Sequence, residues 1–242
     1  MAKKYIDHKL KISDSWDGNL SERISDIENG KDITYLHVIS KNVFKIIEDN
    51  FKDDISIIDV GCGIGYLTNL ISKSYTNIAG IDIAEKSVEY AKNKYKHIDF
   101  SVNDIYDFIP AIKYDLLLAT MVVHNVPCMP EFFEKAATVL KDNGHMLITI
   151  LHPSFWPEEK IENFFYNKIN KEYEVVFRGN KNGKYTHTVS YFHRTLEYYQ
   201  NTMKKHGLEI VYTEEMYEYE NFKNNIRKTE PHILTWLVKS VK

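Results

Sequence analysis

The sequence has few cysteines, no long apolar run and little net charge, and each of these shortages excludes a class of protein. The 242 residues include two cysteines, Cys62 and Cys128, which excludes a disulfide framework and fits a reducing compartment. No apolar run reaches the roughly 18 residues of a membrane span, and the basic N-terminus lacks the apolar stretch of a signal peptide. Because 31 basic residues face 34 acidic ones, no general attraction to nucleic acid or anionic lipid is expected. The sequence therefore predicts a globular, cytoplasmic protein without a membrane partner.

Short apolar runs alternate with helical stretches over most of the chain. A helix over 129–144 is expected to stop at Asn143 and Gly144, a common end signal. The alternation predicts an α/β fold, a Rossmann-like doubly wound sheet of about seven strands, most of them parallel. The runs that read as its first five strands are 55–60, 77–82, 98–102, 114–120 and 145–151.

The C-terminal part of the chain departs from this rhythm. Residues 153–193 hold two strand-like runs joined by a turn-rich stretch, which we interpret as an inserted cap that binds substrate. A helix over 196–207 and runs over 208–215 and 232–240 then complete the sheet, with an antiparallel C-terminal edge strand if the two runs form a hairpin. The predicted organisation is a helical arm (1–50), a core (51–152 and 194–242) and the cap (153–193).

Three of the ten glycines fall within five positions, at Gly61, Gly63 and Gly65, directly after the first predicted strand. Glycines at this place let a ligand approach the backbone amides and the N-terminus of the next helix. A nicotinamide dinucleotide is one candidate ligand, but its G-x-G-x-x-G fingerprint needs a third glycine where this chain has Tyr66. Asp59 would also repel a pyrophosphate and attract an ammonium group, which further disfavours a dehydrogenase.

The stretch IIDVGCGIGYLTNL (57–70), with AGIDIA and SVNDI after the next two strands, resembles the class I S-adenosylmethionine-dependent methyltransferases. The resemblance covers about 33–150, and the tail HRTLEYYQNTMKKHGLEIVYTEE is similar to that of small-molecule members. It implies S-adenosylmethionine as the cofactor. The residues it assigns to the cofactor site are Asp59, Gly61, Cys62, Gly63, Gly65, Asp82, Ile83, Asp104, Ile105, Tyr35 and Trp16.

The resemblance gives several of these residues a role. Asp59, Gly61 and Gly63 would hold the methionine part of the cofactor. Asp82 would accept hydrogen bonds from both ribose hydroxyls, a contact for which a carboxylate at a strand end is chemically suited. Asp104 would accept the adenine amine, although a simple helix cap stays open for it.

The resemblance assigns the remaining cofactor residues by their positions in the matching motifs and in the helical arm. Ile83 and Ile105 would enclose the adenine ring, and Cys62 would contribute its backbone rather than its thiol. The helical arm resembles the arm that covers the cofactor in these enzymes, which places Trp16 and Tyr35 near it. For Tyr35 a plain core position stays open.

Three histidines are candidates for a general base that deprotonates the methyl acceptor: His124, His152 and His193. Each is expected at the carboxyl edge of the sheet, and histidine has an ordinary pKa of about 6.5. The alternatives are a cofactor contact for His124, a turn-orienting role for His152 and a helix-start role for His193. No spacing demands a metal site, and none is assigned.

The cap is rich in aromatic residues, of which Phe155, Trp156 and Tyr191 are the candidates for the acceptor-binding wall. It carries almost no net charge, which counts against RNA stacking, and NVPC (125–128) departs from the motif of DNA amino-methyltransferases. The sequence therefore predicts methyl transfer to oxygen or nitrogen of a small molecule. Methylation of RNA or protein and a catalytically silent cofactor-binding protein are the alternatives, and a homodimer stays open.

Overall fold

The computed structural model describes residues 11–52, 54–155, 161–167, 172–178, 185–217 and 231–241. Its strands are β1 (Ile57–Val60), β2 (Ile78–Asp82), β3 (Asp99–Val102), β4 (Tyr114–Thr120), β5 (Leu140–Leu151), β6 (Ile161–Asn167), β7 (Glu172–Arg178), β8 (Thr188–His193), β9 (Leu208–Met216) and β10 (Ile233–Ser240). Its α-helices are α1 (residues 11–18), α2 (Leu20–Glu28), α3 (Ser40–Asn50), α4 (Tyr66–Ser72), α5 (Glu85–Lys94), α6 (Met129–Val139) and α7 (Leu196–Lys205).

A seven-stranded sheet in the order β3-β2-β1-β4-β5-β10-β9 forms the centre of the fold. Strand β1 pairs in parallel with both β2 and β4, so that Asp59 faces Gly80 on one side and Leu118 on the other. The chain runs outward from β1 to β3 and then crosses back to β4, which makes the carboxyl ends of β1 and β4 the switch point where α/β sheets bind ligands. The predicted Rossmann-like fold is confirmed.

The predicted antiparallel C-terminal edge is also confirmed, with one refinement. Strand β10 is antiparallel both to β5 and to β9, so it lies between them, and β9 is the outermost strand.

Both faces of this sheet are covered, because successive strand side chains point to opposite sides. Ile58 and Val60 pack in a core with α6 and α7, through Phe132, Phe133, Tyr199 and Met203. Ile57 packs on the other face in a core with α3 and α4, through Val43, Ile47, Leu67 and Ile71.

One helix boundary is wrong in the prediction. Helix α6 ends at Val139 rather than at the Asn143–Gly144 stop, because Leu140 already pairs with Tyr114 on β4. Asn143, at φ 59°, instead lies in an irregularity of the β4–β5 ladder before the regular pairing begins at Leu116 and His145.

A second, three-stranded antiparallel sheet in the order β6-β7-β8 lies within the predicted cap. Strands β7 and β8 match the two runs expected there, whereas β6 had no strand prediction. Before the main sheet, α1 and α2 are followed by a π-helical turn (Thr34–Ile39) that continues into α3. Among the helices in the described ranges, none has the length and apolar composition needed to cross a membrane.

Candidate active site

The loop after β1 is a tight turn built on three glycines with left-handed backbone conformations. Gly61, Gly63 and Gly65 have φ values of 75°, 52° and 76°. The amides of Gly61 and Cys62 both donate to the carbonyl of Ile81, at 2.7 and 3.1 Å, which fastens the loop to the end of β2. Since left-handed φ strongly favours glycine, the cluster is required by the backbone itself.

The three glycines differ in what surrounds them. A Cβ added to Gly61 would lie 2.2 Å from Cγ2 of Val122, and one added to Gly65 would lie 2.8 Å from Cζ of Phe100. At Gly63, apart from the glycine and its two chain neighbours, no heavy atom of the described residues lies within 4 Å of such a Cβ. Gly61 and Gly65 are therefore needed for packing within the protein, whereas the space beside Gly63 is open.

Asp59 is a buried carboxylate at the end of β1, with 2% of its surface exposed. The hydroxyl of Thr68 donates to its Oδ2 at 2.6 Å. Burial raises the pKa of Asp59 to about 7, and the nearby charge of Asp82 acts in the same direction. A cation brought to this place would lower that pKa and stabilise the charged form.

Asp82 is the last residue of β2 and is hydrogen-bonded to the glycine loop. Its Oδ2 accepts from the amide of Gly63 at 2.7 Å, and its Oδ1 accepts from the amide of Ala84 at 2.9 Å. Burial raises the pKa of Asp82 above its ordinary value, against these two bonds. The next residue, Ile83, accepts a bond from the hydroxyl of Ser13 on its carbonyl, at 2.8 Å.

Two of the residues expected around an adenine ring, Asp104 and Ile105, lie after β3. Asp104 is 8% exposed, and its Oδ1 accepts from the amide of Tyr106 at 3.2 Å, a local turn contact. Ile105 packs within the core on the α6 side of the sheet. Cys62 is buried against Phe100, and burial raises the pKa of its thiol well above the ordinary value. The adenine roles of these residues stay predictions.

The helical arm places the ring of Tyr35 beside Tyr66, the residue that directly follows the glycine loop. Tyr35 lies in the π-helical turn, 6.1 Å from the ring of Tyr66 between ring centroids. Burial raises the pKa of its hydroxyl, and the charge of Asp59 contributes to that shift. The guanidinium carbon of Arg23 lies 4.5 Å above the Tyr35 ring, and its Nη1 donates to Asp32 Oδ2 at 2.6 Å.

Arg23 and Thr120 are candidate site residues that sequence reasoning missed. Arg23 is the one basic residue of α2, and a single arginine on a helix carries no sequence signal. Thr120 ends β4, two residues beyond Leu118, and its Oγ1 is buried without a hydrogen-bond partner among the described residues. A lone threonine at a strand end carries no sequence signal.

Helix α1 bridges the segment after β2 and the predicted cap. Ser13, near its start, contacts Ile83. Asp17, near its end, accepts from the amide of Lys86 at 3.0 Å. At this end Asn19 exchanges two hydrogen bonds with the backbone of His187, at 2.9 and 2.8 Å. Trp16 packs on the cap, edge to face with Tyr185 at 6.4 Å between centroids. Its predicted place near the cofactor remains a prediction.

His124 lies in a short 3₁₀ turn (Val123–Asn125) after β4 and is 4% exposed. Its Nδ1 accepts from the amide of Leu151 at 3.4 Å, so the proton of the neutral ring lies on Nε2. Burial, with the nearby charge of Arg194, lowers the pKa of His124 to about 3. At neutral pH this imidazole is uncharged and weakly basic.

Tyr191 connects His124 to His193. Its ring centroid lies 5.5 Å from that of His124 and 6.2 Å from that of His193. Tyr191 is fully buried, and His193, at the end of β8, is half-buried. Burial lowers the pKa of His193 to about 4. The structure thus brings two of the three candidate histidines and one candidate wall residue together.

His152 belongs to a different neighbourhood. Its Nδ1 lies 2.6 Å from Oγ of Ser154, and its Nε2 lies 3.4 Å from Oε1 of Glu215 on β9. Phe155 packs on the ring of His232, 4.4 Å between centroids, on the same side. Trp156 lies outside the described residues. His152 therefore contacts a different set of residues from His124 and His193, and the role of each histidine as a base stays a prediction.

A further element that the sequence did not reveal is a buried ion pair. Arg194, directly after His193, donates from Nε to Oε2 of Glu172 on β7, and the two side chains are 0% and 2% exposed. Its Nη1 and Nη2 donate to the carbonyls of Val123 and Val126, at 3.1 and 2.6 Å. The pair therefore joins the cap to the segment that carries His124.

Comparison with known proteins fits this geometry. Residues 35–213 match the model of a family described as a methyltransferase domain. A ubiquinone biosynthesis O-methyltransferase of Pelagibacter ubique is 28% identical over 159 residues, which is 62% of this chain and 65% of that protein. The chain thus spans just under two thirds of the length of this curated relative.

Two solved structures show the same fold. A putative S-adenosylmethionine-dependent methyltransferase from Listeria monocytogenes aligns with a TM-score of 0.64 and 20% identity, covering 84% of this chain and 98% of the other. The N-methyltransferase NodS of Bradyrhizobium japonicum, solved with S-adenosyl-L-homocysteine, aligns with a TM-score of 0.61 and 13% identity, covering 96% and 100%. Because the family model covers most of its length, this chain belongs to the methyltransferase domain family.

Proposed function

We propose that the chain is an S-adenosylmethionine-dependent methyltransferase that acts on oxygen or nitrogen of a small-molecule acceptor. The observation that carries this proposal is the open face of Gly63, whose amide donates to Asp82, together with the buried carboxylate of Asp59 on the neighbouring parallel strand. A ligand with an ammonium group and two adjacent hydroxyls can donate hydrogen bonds to these carboxylates, whereas a pyrophosphate cannot.

The residues present fit the cofactor. Asp59 would pair with its ammonium group, which offsets the energy of burying that carboxylate. Asp82 would accept its ribose hydroxyls with lone pairs that the Gly63 and Ala84 amides leave available. Arg23, which keeps further N–H groups beyond its bond to Asp32, would meet its carboxylate. Asp104 would take the adenine amine.

When bound, S-adenosylmethionine supplies a methyl group on a positively charged sulfur, which leaves as a neutral thioether. The protein therefore needs mainly to orient the acceptor and to remove one proton. His124 is suited to donate a hydrogen bond from Nε2, because its Nδ1 is engaged by the Leu151 amide. His193 is the better placed base, since His152 contacts Ser154 and Glu215 instead.

Burial lowers the pKa of His193 to about 4, so its imidazole is neutral at pH 7 and is a weak base. It therefore suits an acceptor that needs little help in losing a proton. A carboxylic oxygen that is already ionised and a neutral amine that attacks before it loses a proton are both of this kind. The O-methyltransferase activity in the name of the Pelagibacter ubique relative supports oxygen. The free thiols of Cys62 and Cys128 support a cytoplasmic setting.

The test is methyl transfer from S-adenosylmethionine labelled in its methyl group. The purified protein is incubated separately with a filtered small-molecule extract, with RNA and with protein, and label is measured in each fraction. We expect label in the small-molecule fraction, lost in the Asp82→Ala variant. Label that enters only RNA or protein would contradict the proposed acceptor class.

A further inference from the structure

The segment between β4 and α6, residues 121–128, is called the acceptor loop below. It is held in an unfavourable conformation: Met121 has a φ of 61°, a left-handed value that is uncommon for a residue with a long side chain. Its amide donates to the carbonyl of Thr149 at 2.7 Å, and Nδ2 of Asn125 donates to its carbonyl at 3.1 Å. Such backbone strain persists only where the surroundings hold it in place.

Arg194 is the group that holds the middle of this loop. Its guanidinium donates to the carbonyls of Val123 and Val126, which stand on either side of His124 and Asn125. Arg194 comes from the end of β8, far away in sequence, and Glu172 on β7 fixes its Nε. One guanidinium thus satisfies two loop carbonyls and one cap carboxylate at once.

The acceptor loop also contacts the cofactor side of the site. Val122 fills the space beside Gly61, where a Cβ would lie 2.2 Å from its Cγ2. The loop is therefore packed against the glycine loop on one side and bonded to the cap through Arg194 on the other. A shift of the loop would move His124 relative to both.

Stability alone does not account for this ion pair. Replacing a buried ion pair by apolar residues of similar volume is often neutral or stabilising, whereas removing one partner is strongly destabilising. An apolar pair at these positions could fill the space, but it could not donate to the Val123 and Val126 carbonyls. The geometry therefore separates a packing role, which apolar residues can replace, from a role in holding the loop, which they cannot.

We propose that Arg194, held by Glu172, is the positioning residue of the acceptor side, fixing the acceptor loop and joining it to the cap so that His124 is presented in one orientation. This inference rests on the proposed function of the site. It predicts that the pair controls methyl transfer and the order of the loop, and that cofactor binding does not depend on it.

The experiment compares wild type with three variants of the full chain. The double variant Arg194→Met/Glu172→Leu removes the pair without leaving a buried charge, and Arg194→Lys keeps the charge with fewer donors. Val43→Ala, on the opposite face of the sheet, serves as a destabilised control. The measurements are Tm, S-adenosylhomocysteine affinity by calorimetry, amide hydrogen exchange, and labelled methyl transfer to the small-molecule fraction.

For the double variant we expect a Tm about 5–10 °C below wild type, because the Val123 and Val126 carbonyls lose their donors, with an S-adenosylhomocysteine Kd changed less than about twofold. Exchange should accelerate at least about tenfold in residues 121–128 but not in 57–65. Methyl transfer should fall about 100-fold, because a displacement of about 1 Å can have that effect. Arg194→Lys should fall between the double variant and wild type, and it gives the same readouts if the double variant does not fold.

Wild-type exchange and transfer in a folded double variant would overturn the positioning role. So would a loss of transfer that Val43→Ala reproduces at equal Tm, since that would indicate a general effect of stability. Failure of wild type to bind S-adenosylhomocysteine would instead contradict the proposed function, so the two failures are distinguishable.

Discussion

The two sides of the site bury charge in opposite ways. On the proposed cofactor side, Asp59 is held by the hydroxyl of Thr68, and burial raises its pKa to about 7. On the proposed acceptor side, Arg194 is equally buried but pairs with Glu172 and donates to two backbone carbonyls. A buried charge that the protein does not neutralise is suited to meet a ligand of opposite sign. A buried charge that is fully paired is suited to hold structure in place.

The largest effect should come from removing the unpaired charge. The pKa of Asp59 is about 7 in the folded protein and about 3.8 ordinarily, so the ligand-free folded state holds a proton across this window. Its stability therefore falls as pH rises from about 4 to about 7, by on the order of 4 kcal/mol. Asp59→Asn should remove this dependence and stabilise the ligand-free protein at pH 8.

The same variant should weaken S-adenosylhomocysteine binding at least about 100-fold, because it leaves the ammonium group without a partner. Denaturant unfolding at several pH values and calorimetry measure the two effects. Equal stability of wild type and variant at pH 8 would show that the charge of Asp59 is neutralised within the protein. Asp59 and Arg194 would then not differ in how their charges are compensated.

The next effect separates two neighbouring glycines. Gly61→Ala should cost about 3 kcal/mol of folding free energy, because its Cβ would meet Val122 in a left-handed backbone. Gly63→Ala should cost only about 1 kcal/mol, since the space around it is open. That variant should instead weaken S-adenosylhomocysteine binding more than tenfold.

Thermal unfolding and calorimetry of the two glycine variants measure this contrast. If Gly63→Ala bound S-adenosylhomocysteine as wild type does, the open face of Gly63 would not be the ligand side of the loop.

A smaller effect should come from the arm that joins the two sides. Asn19→Ala removes two hydrogen bonds to His187 and should cost about 1–2 kcal/mol. Amide exchange should accelerate in residues 11–18 and 186–190. Asn42→Ala, which removes one bond to Glu214 on the edge strand, is the matched control and should leave both segments unchanged.

The smallest effect on S-adenosylhomocysteine binding is expected when either histidine of the acceptor side is replaced. His124→Gln and His193→Gln should each change the S-adenosylhomocysteine Kd by less than about twofold, because neither ring contacts the glycine loop or its carboxylates in the contacts described above. Calorimetry measures this directly. A tenfold loss in either variant would show that the two sides of the site are not separable.

The glycines and strand-end carboxylates that the sequence groups together do contact one another in the structure, because these contacts are short in sequence, and their ligand roles stay predictions. Thr68 and Asp59 are 9 residues apart, and Gly63 and Asp82 are 19 apart, within one strand-loop-helix-strand unit. Left-handed glycines and strand-end carboxylates leave local patterns that can be recognised. The packing of Gly61 against Val122 could not be seen, because it depends on β4 lying next to β1.

The contacts that join the acceptor loop to the cap could not be predicted, because they are long in sequence. Arg194 is 71 residues from Val123 and 68 from Val126, and Asn19 is 168 from His187. The three histidines were expected at the carboxyl edge of the sheet, but the sequence could not show that His152 contacts Glu215 on β9, because the place of β9 follows from the sheet order. An arginine beside a helix start gives no local signal of a buried ion pair.

The most direct test is a calorimetric titration of the protein with S-adenosylhomocysteine, run beside NADH and beside the Asp82→Ala variant. We expect binding of S-adenosylhomocysteine at about micromolar Kd, no binding of NADH, and loss of binding in the variant. A folded wild-type protein that ignored S-adenosylhomocysteine, or that bound NADH instead, would contradict the assignment of the glycine loop.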